Sequence, residues 1–283
     1  MTTAIPADIP APSGQAADAR GTVAADGPRA VVLLCAGRGT RMHPLTLDAP
    51  KCMLEVGDRK VIDHLLDAIL ARSDGEIVAV TGFGADAVRD HLASRYGDRV
   101  GTAHNPRYEE DVNILSVETG VAALRHPERG YIVVETDLLL DASAWDRVFA
   151  QAAGPDAFWL CRGRYAENLT GGIVHAGTDG WIDAVEYRPA YDAAYAGWPK
   201  MVGILGVGPG QVAADRETRR QAMAVSIAQY YLVPWRDHLP QLPCRVLQID
   251  DCFAHSFNTV ADYERIARQY TALAGHRPSS VHA

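Results

Sequence analysis

The residues best suited to chemistry lie in a glycine-containing segment, Ala36–Arg41, directly after the apolar run Ala30–Cys35. Because Gly37 and Gly39 have no side chain, backbone N–H groups of this segment can approach a chain of phosphates closely. Lys51 adds positive charge to a chain that has a net charge of -8 and keeps three lysines, at positions 51, 60 and 200. We therefore predict a phosphate-binding loop formed by Ala36, Gly37, Arg38, Gly39 and Thr40, with Arg41 and Lys51 beside it.

Two widespread phosphate-binding loops do not fit this segment. The dinucleotide fingerprint G-x-G-x-x-G opens a helix, whereas here Pro44 interrupts the expected helix and no third glycine follows. The P-loop requires G-K-S/T, which the segment lacks. Two glycines after a strand also occur in ordinary strand-to-helix turns, and that alternative stays open for the loop taken alone.

Strand-like and helical patterns alternate along the chain, and these elements must position the loop. Buried strands are predicted near residues 30–35, 52–56, 76–80, 100–104 and 131–135, and helices near 61–72, 85–94, 113–125, 216–230 and 260–274. Such alternation indicates an α/β fold with a mainly parallel mixed sheet flanked by helices. Short apolar runs between residues 156 and 207 predict antiparallel strands beside that sheet. We expect a flexible tail over residues 1–28, which lack apolar periodicity, and one domain over 29–283.

The segment from Leu34 to Lys51 contains an apolar strand, then A-G-x-G-T-R, P-L-T and P-K. This composite resembles the signature of the sugar-phosphate nucleotidyltransferase superfamily, and the resemblance extends over the chain after residue 28. It implies a Rossmann-like nucleotidyltransferase fold whose loop holds a nucleoside triphosphate. By motif position it implies that Arg41 contacts the departing pyrophosphate and Lys51 the region of the α-phosphate, so both are candidate catalytic residues.

Two further segments resemble the metal-binding positions of the superfamily and imply Mg²⁺ as the cofactor. The run Tyr131–Asp137 resembles a strand ending in Gly-Asp, whose aspartate binds Mg²⁺, with Thr136 in place of the glycine. A capping role is the alternative for Asp137. The second implied ligand is Asn258, where the superfamily has an aspartate; Mg²⁺ can still be held by one carboxylate with phosphate oxygens and water. Whether Asp250, Asp251 or His255 compensates for the carboxylate missing at Asn258 is left open.

The stretch Asn105–Ser116 stands in the place of the Gly-rich G-T-A-type segment of members that use dTTP or UTP. It resembles the N-P-x-Y-x-x-x-N-N-x-x-S pattern of the cytidylyltransferase branch acting on phosphocholine and small phosphonates, although Val112 replaces one asparagine. Asn and Ser supply the donors and acceptors that cytosine requires. A role as N-cap of the following helix is the alternative for Asn113. The implied nucleotide-binding residues are Asn105, Tyr108, Asn113 and Ser116.

Aromatic residues are frequent between positions 181 and 200, namely Trp181, Tyr187, Tyr191, Tyr195 and Trp198. They are compatible with a cage for a quaternary ammonium and equally with ordinary packing. Arg188 and Lys200 favour an acceptor that has a phosphonate and a further anionic group, whereas Glu186 suits an amine. The predicted acceptor-binding residues are Glu186, Tyr187, Arg188 and Lys200.

We therefore predict a cytidylyltransferase that transfers CMP from CTP to a small phosphonate or phosphate acceptor with release of pyrophosphate. The alternatives are a sugar-1-phosphate nucleotidyltransferase that uses another NTP, and a nucleotide-binding regulatory protein with weakened activity. The predicted partners are CTP and the small organophosphorus acceptor, and a homodimer stays open. An excess of 35 acidic over 27 basic residues argues against nucleic acid, and the apolar runs are too short for a membrane span. The five scattered cysteines favour buried, reduced thiols. The lack of a secretory signal favours the cytoplasm.

Overall fold

A nine-stranded sheet forms the centre of the computed structural model, which describes residues 27–275. Over these residues the strands are β1 (Ala30–Cys35), β2 (Glu55–Val56), β3 (Arg59–Lys60), β4 (Ile77–Thr81), β5 (Gly101–His104), β6 (Tyr131–Glu135), β7 (Leu138–Leu140), β8 (Ala157–Arg164), β9 (Gly171–Ala176), β10 (Ile182–Arg188), β11 (Pro199–Val207), β12 (Cys244–Gln248) and β13 (Ala254–Ser256). The helices are α1 (Val61–Leu70), α2 (Ala85–Tyr96), α3 (Ile114–Ala123), α4 (Ala142–Ala152), α5 (Val212–Val225), α6 (Val233–Asp237) and α7 (Val260–Gly275). The tail predicted over residues 1–28 lies almost wholly outside the described residues, as do residues 276–283.

The order of strands confirms the predicted Rossmann-like α/β fold with a mixed sheet. The main path is β10-β9-β11-β6-β1-β4-β5, while β8 pairs with β11 and β12 pairs with β8. Strands β6, β1, β4 and β5 are parallel, whereas every pairing of β9, β10 and β11 is antiparallel. In such sheets ligands bind beyond the carboxyl ends of the parallel strands. The segment Ala36–Arg41 and Asp137 follow two of those ends.

The central strand β1 is apolar throughout because helices cover both faces of the sheet. Successive side chains of a strand point to opposite faces, so Val31 and Leu33 pack in one core layer and Val32 packs in the other. The first layer contains Leu65 of α1, and the second contains Val117 of α3. This packing on both faces holds the strand from which the glycine-containing loop emerges.

Two predicted elements differ from those observed. The strand predicted over 52–56 is shortened to β2, because a 3-10 turn at Lys51–Met53 occupies its first half. The helix predicted over 216–230 instead spans Val212–Val225. Gln229 ends it by donating a hydrogen bond from Nε2 to the carbonyl of Ala222, 2.6 Å away, which leaves residues 226–232 irregular.

Strands β7 and β13 form a small antiparallel sheet that the apolar patterns do not predict. Leu140 pairs with Ala254, and Leu138 pairs with Ser256. Beyond this pairing, the backbone N–H of Phe257 donates to the carbonyl of Asp137 at 2.9 Å. The residue after Phe257 is therefore held beside Asp137, although the two are far apart in sequence.

The five cysteines are buried thiols without a disulfide, as predicted. A hydrogen bond with Cys35 is the largest cause that raises the pKa of Cys52, and burial is the next. No helix over residues 27–275 is long and apolar enough to cross a lipid bilayer.

A buried polar network fastens α5 to the sheet. Asp215 is 1% exposed and accepts hydrogen bonds from the hydroxyl of Tyr131, from Nη1 of Arg219 and, at 3.0 Å, from Nε1 of Trp235. Arg219 also donates from Nε to Glu118 at 2.8 Å. Removing one partner of a buried ion pair leaves a desolvated charge, which costs more than the pair itself contributes.

We expect Asp215→Ala to lower the free energy of unfolding by about 3 kcal/mol or more, because Arg219 and Tyr131 lose their acceptor. Urea unfolding measures this loss. Asp237→Ala is the matched control, since Asp237 forms a half-exposed pair with Arg236 and its removal is expected to cost less than about 1 kcal/mol. Equal losses for the two variants would contradict the role given to the network.

Candidate active site

A cleft of about 1100 Å³ opens at the carboxyl ends of β1 and β6. The loop after β1, the turn at Lys51, the end of β6 and the antiparallel strands form its walls. Many of the predicted site residues line it: Ala36, Gly37, Gly39, Thr40, Arg41, Lys51, Asn113, Ser116, Asp137, Tyr187, Lys200 and Asn258. The fold thus brings phosphate-binding, metal-binding and acceptor-binding candidates to one place.

The centre of the cleft is a cluster of two cations and two oxygen ligands. Nζ of Lys51 donates to Oδ2 of Asp137 at 2.9 Å and to Oδ1 of Asn258 at 3.4 Å. Nη2 of Arg41 donates to the same Oδ1 at 2.7 Å. The side chains of Lys51 and Asp137 are 15% and 14% exposed, so their charges are partly removed from water.

The backbone of Gly39 explains how the loop reaches this cluster. Its φ is +65°, and a Cβ there would lie 2.9 Å from Cγ of Lys51. The carbonyl of Gly39 accepts a hydrogen bond from Oγ1 of Thr46 at 2.8 Å, which folds the loop back over the lysine stem. A side chain at this position would therefore displace Lys51.

Asp137 and Asn258 fit a role as ligands of Mg²⁺. Oδ1 of Asp137 is buried and has no hydrogen-bond partner among the described residues, an expensive state for a carboxylate oxygen unless a ligand is bound there. Asp250 and Asp251 do not compensate for Asn258. Asp250 accepts from the backbone N–H of Gly163, and Asp251 pairs with Arg147 at the surface.

Other ligands of the ion would have to come from the substrate. Over residues 27–275 no cluster of three or more His, Cys, Asp or Glu side chains is arranged to hold a metal. Mg²⁺ keeps several waters and is commonly held by one or two carboxylates with substrate phosphates. The pair Asp137 and Asn258 matches that mode of binding.

Glu135 is a cleft residue that the motifs do not identify. Burial, and after it the charge of Asp137, raise the pKa of Glu135 to about 7. A Cβ at Gly203, whose φ is +47°, would lie 2.9 Å from Oε2 of Glu135, so the glycine makes room for the carboxylate. The signal in the sequence is its position at the end of β6, two residues before Asp137.

Lys200 of β11 lies close to the same carboxylates. Burial lowers the pKa of Lys200, while the charges of Glu135 and Asp137 oppose that shift. Nζ of Lys200 donates to the carbonyl of Met201 at 2.7 Å. This lysine places a third cation of the cleft close to the end of β6.

The chain matches the MobA-like NTP transferase domain over residues 31–194. That range contains the glycine loop, Lys51, Asp137, nearly all of β1 and strands β2–β10. The chain belongs to this family.

Relatives of this MobA-like chain differ in nucleotide and acceptor. The chain is 40% identical over 94 residues to N-acetylmuramate alpha-1-phosphate uridylyltransferase of Caulobacter vibrioides, covering 33% of this chain and 37% of the relative. It is 27% identical over 170 residues to CMP-5'-(3-aminopropyl)phosphonate synthase of Streptomyces rubellomurinus, covering 58% and 26%. The matches thus span between about a quarter and two fifths of these curated relatives.

A solved structure shows the same fold. The CTP:phosphocholine cytidylyltransferase of Streptococcus pneumoniae superposes with a TM-score of 0.72 over 86% of this chain and 99% of its own length. Their sequence identity is 17%. This similarity confirms the expected nucleotidyltransferase fold of the MobA-like chain.

Two predicted nucleotide-binding residues lie outside the cleft lining, which corrects their expected placement. Asn105 is 0% exposed, and its amide bonds Asp111 and Ser116, both at 3.0 Å. Tyr108 packs over Gly82, where a Cβ would lie 2.6 Å from Cβ of Tyr108. Both side chains instead support the segment that carries Asn113 and Ser116 into the cleft.

Asn113 stands at the N-terminus of α3 but does not cap it with its side chain. Asp111 takes that role, since it accepts from the backbone N–H groups of Leu115 and Ser116. Oδ1 of Asn113 accepts instead from the backbone N–H of Tyr231 at 2.9 Å. Its Nδ2 stays available to a ligand.

Arg38, Glu186 and Arg188 also lie outside the cleft lining, contrary to expectation. Arg38 donates to Glu109 at 2.8 Å across the outer surface. Glu186 and Arg188 pair with each other at 3.1 Å, and the Arg188 guanidinium lies 4.3 Å from the ring centre of Tyr195. Tyr187, between them on β10, lines the cleft because alternate residues of a strand face opposite sides.

The aromatic residues between 181 and 200 do not assemble into one cage. The Trp181 ring packs under Arg245, 4.1 Å from its guanidinium, and Trp198 lies 5.1 Å from the ring of His175. Tyr191 stacks on Tyr165. The packing alternative is therefore the observed one, and only Tyr187 of the five lines the cleft.

Several cleft residues are missed by the motifs: Arg162, Arg164, Tyr230, Tyr231 and Arg265. His255, which the sequence analysis names as a possible replacement for the missing carboxylate, also lines the cleft. Tyr187 and Tyr230 share a hydrogen bond of 2.8 Å between their hydroxyls. Arg162 and Arg164 lie at the end of β8, where the register with β11 is irregular, so strand alternation does not predict that both line the cleft. The others depend on contacts between distant parts of the chain.

Proposed function

We propose that this MobA-like protein transfers CMP from CTP to a small phosphonate or phosphate acceptor and releases pyrophosphate. The observation that carries the proposal is the convergence of Lys51, Arg41 and Asp137 at the glycine loop. Support for a cytidylyl group comes from the names of two relatives, the aminopropylphosphonate synthase that forms a CMP product and the phosphocholine cytidylyltransferase. The uridylyltransferase relative keeps a sugar-phosphate nucleotidyltransferase as the second candidate.

The reaction is an in-line displacement at phosphorus. An oxygen of the acceptor attacks the α-phosphorus of CTP and forms a new P–O bond. The bond from the α-phosphorus to the oxygen that bridges to the β-phosphorus breaks, and pyrophosphate leaves with the electron pair. The attacking phosphonate oxygen is already anionic at neutral pH, so the protein needs no general base.

The chain contributes position and charge rather than covalent chemistry. Lys51 faces the α-phosphate as its charge grows, Arg41 faces the departing pyrophosphate, and the N–H groups of the glycine loop hold the triphosphate. Asp137 and Asn258 would hold Mg²⁺, which neutralises charge on the triphosphate when it is bound. Asn113 offers its free amide N–H to the cytosine carbonyl, beside Ser116.

The test is a pyrophosphate-release assay in which each common nucleoside triphosphate is combined with a phosphonate, phosphocholine and a sugar 1-phosphate. We expect CTP with the phosphonate to have the highest kcat/KM, and Lys200→Ala to raise KM for the phosphonate more than KM for CTP. Faster turnover of UTP or dTTP with the sugar phosphate would establish the second candidate. A tenfold preference for phosphocholine would reject the phosphonate, and CTP binding without turnover would indicate a regulatory protein.

Asn258→Asp is expected to lower the Mg²⁺ concentration for half-maximal rate several-fold, because a carboxylate replaces a neutral oxygen ligand. The rate is measured against Mg²⁺ at saturating CTP. Gln241→Glu, on the exposed surface away from the cleft, adds the same charge as a control. An unchanged Mg²⁺ dependence would show that the new carboxylate pairs only with Arg41 and Lys51 and does not reach the metal.

A further inference from the structure

The acceptor side of the cleft carries more positive charge than one phosphonate requires. Arg162 and Arg164 of β8 both line the cleft, and Lys200 lies on the neighbouring strand β11. Arg265 of α7 faces them across the cleft. These cations are separate from Arg41 and Lys51, which stand at the glycine loop.

Arg162 and Arg164 are left without acidic partners. Arg162 donates from Nε to the carbonyl of Cys252 at 2.7 Å, and neither arginine forms an ion pair within the described part of the chain. Most other arginines over residues 27–275 have a carboxylate partner, as Arg188 has Glu186 at 3.1 Å. Two unpaired guanidinium groups in a cleft are therefore available to an anion.

The surroundings of His255 show that positive charge is concentrated here. His255 lines the cleft opposite Leu139, and burial together with the charges of Arg162 and Arg265 lowers the pKa of His255 to about 4. The imidazole is therefore neutral at pH 7 and does not itself compete for the anion. Arg265 is partly neutralised by Asp262 at 3.0 Å, which leaves the two arginines of β8 as the stronger attractors.

The positions of Lys200, Arg162 and Arg164 indicate which part of the acceptor each of them binds. Lys200 lies close enough to Glu135 and Asp137 for their charges to affect its pKa, so it faces the centre where the phosphonate must react. Arg162 and Arg164 lie on β8, whose register with β11 places them beside Lys200, so they can bind the remainder of the acceptor next to it. An ammonium group placed beside these two guanidinium groups would be repelled by their charge.

We propose that the acceptor is a phosphonate or phosphate with a second anionic group, a carboxylate, and that Arg162 and Arg164 bind this carboxylate. The proposal rests on the proposed CMP transfer and names the acceptor class for it. A guanidinium binds a carboxylate through two parallel N–H···O bonds, and such charge-assisted bonds are stronger than neutral ones.

Three probes with the same two-carbon spacer test the proposal: phosphonopropionate, ethylphosphonate and aminoethylphosphonate. With CTP and Mg²⁺ we expect kcat/KM for phosphonopropionate to exceed that for ethylphosphonate by at least about tenfold, and aminoethylphosphonate to be the poorest. One hydrogen bond to a charged group accounts for a factor of this size. In Arg164→Ala, KM for phosphonopropionate rises about tenfold while KM for CTP stays unchanged.

Arg164→Ala is the first variant, because the Arg164 side chain makes no hydrogen bond within residues 27–275 and we expect its removal to leave the fold intact. Arg162→Lys is the second variant, because lysine keeps the positive charge but cannot form two parallel N–H···O bonds with a carboxylate. Arg188→Ala is the matched control, because this arginine of β10 lies outside the cleft lining. Calorimetric titration of phosphonopropionate, with a non-reactive CTP analogue present, measures binding without turnover.

The outcomes separate the two proposals. If CTP reacts with none of the three probes and not with phosphocholine either, the proposed CMP transfer is overturned. Turnover in which ethylphosphonate or aminoethylphosphonate equals phosphonopropionate would overturn the carboxylate assignment alone. An unchanged preference in Arg164→Ala and Arg162→Lys, or its loss in Arg188→Ala, would also overturn that assignment.

Discussion

Lys51→Ala is expected to lower kcat by about 10²–10³-fold while the fold stays intact. Removing one preorganised group that meets developing charge typically costs this much. Lys51 is well placed for such a role, because Asp137 holds its Nζ at 2.9 Å and the loop at Gly39 packs on its stem. Its loss removes positive charge where the α-phosphate becomes more negative.

The measurement is kcat at saturating CTP and acceptor, with the melting temperature recorded for each variant. Lys60→Ala is the matched control. Lys60 lies at the start of α1, and its Nζ is 3.9 Å from Glu55 at the surface, so its loss is expected to leave kcat unchanged. A folded Lys51→Ala enzyme with normal kcat would remove Lys51 from the catalytic machinery.

The parts of the site that the sequence predicts well are those close together along the chain. The loop Ala36–Arg41 directly follows β1, and Lys51 begins a turn later in the same connection to β2, so their placement depends on one buried strand and the turns beside it. The motif therefore contains most of the information that positions them. The same holds for Asp137, which comes two residues after the end of β6.

The parts that the sequence predicts poorly depend on which face of a strand each residue occupies. Glu186, Tyr187 and Arg188 were expected to act together, yet consecutive residues of a strand cannot all face one cleft. Tyr187 faces inward, whereas Glu186 and Arg188 pair with each other outside. Composition does not show this difference: Arg188 lies outside the cleft lining, whereas Arg162 and Arg164 of β8 line it.

A second difficulty is that short polar segments satisfy their own hydrogen bonds. Asn105 resembles a nucleotide ligand in the motif, but its side chain is used up by Asp111, Ser116 and the backbone of Arg107. Only the folded turn shows which of the polar groups between residues 105 and 116 remain free. The pairing of β7 with β13 is likewise invisible in local patterns, although it brings Asn258 to Asp137.

Asp137→Asn is expected to lower kcat/KM by about 10³-fold and to flatten the dependence of the rate on Mg²⁺. A metal ion supplies several kcal/mol of charge stabilisation in such reactions, and each 1.36 kcal/mol corresponds to about tenfold in rate. The substitution keeps the shape of the side chain and removes the carboxylate whose Oδ1 is buried without a partner. Kinetics across a Mg²⁺ titration measure both effects.

The pairing of Asp137 with Lys51 raises a second explanation, in which the aspartate acts only by holding the lysine. A double-mutant cycle with Lys51→Ala distinguishes the two, because residues that act as one unit give losses that do not multiply. If Asp137 also serves the metal, the double variant is expected to lose at least about tenfold more activity than either single variant. Lys51→Ala alone is expected to keep the Mg²⁺ dependence of the parent enzyme. A double variant no slower than Lys51→Ala, with the Mg²⁺ dependence preserved in Asp137→Asn, would reduce Asp137 to a positioning residue for Lys51.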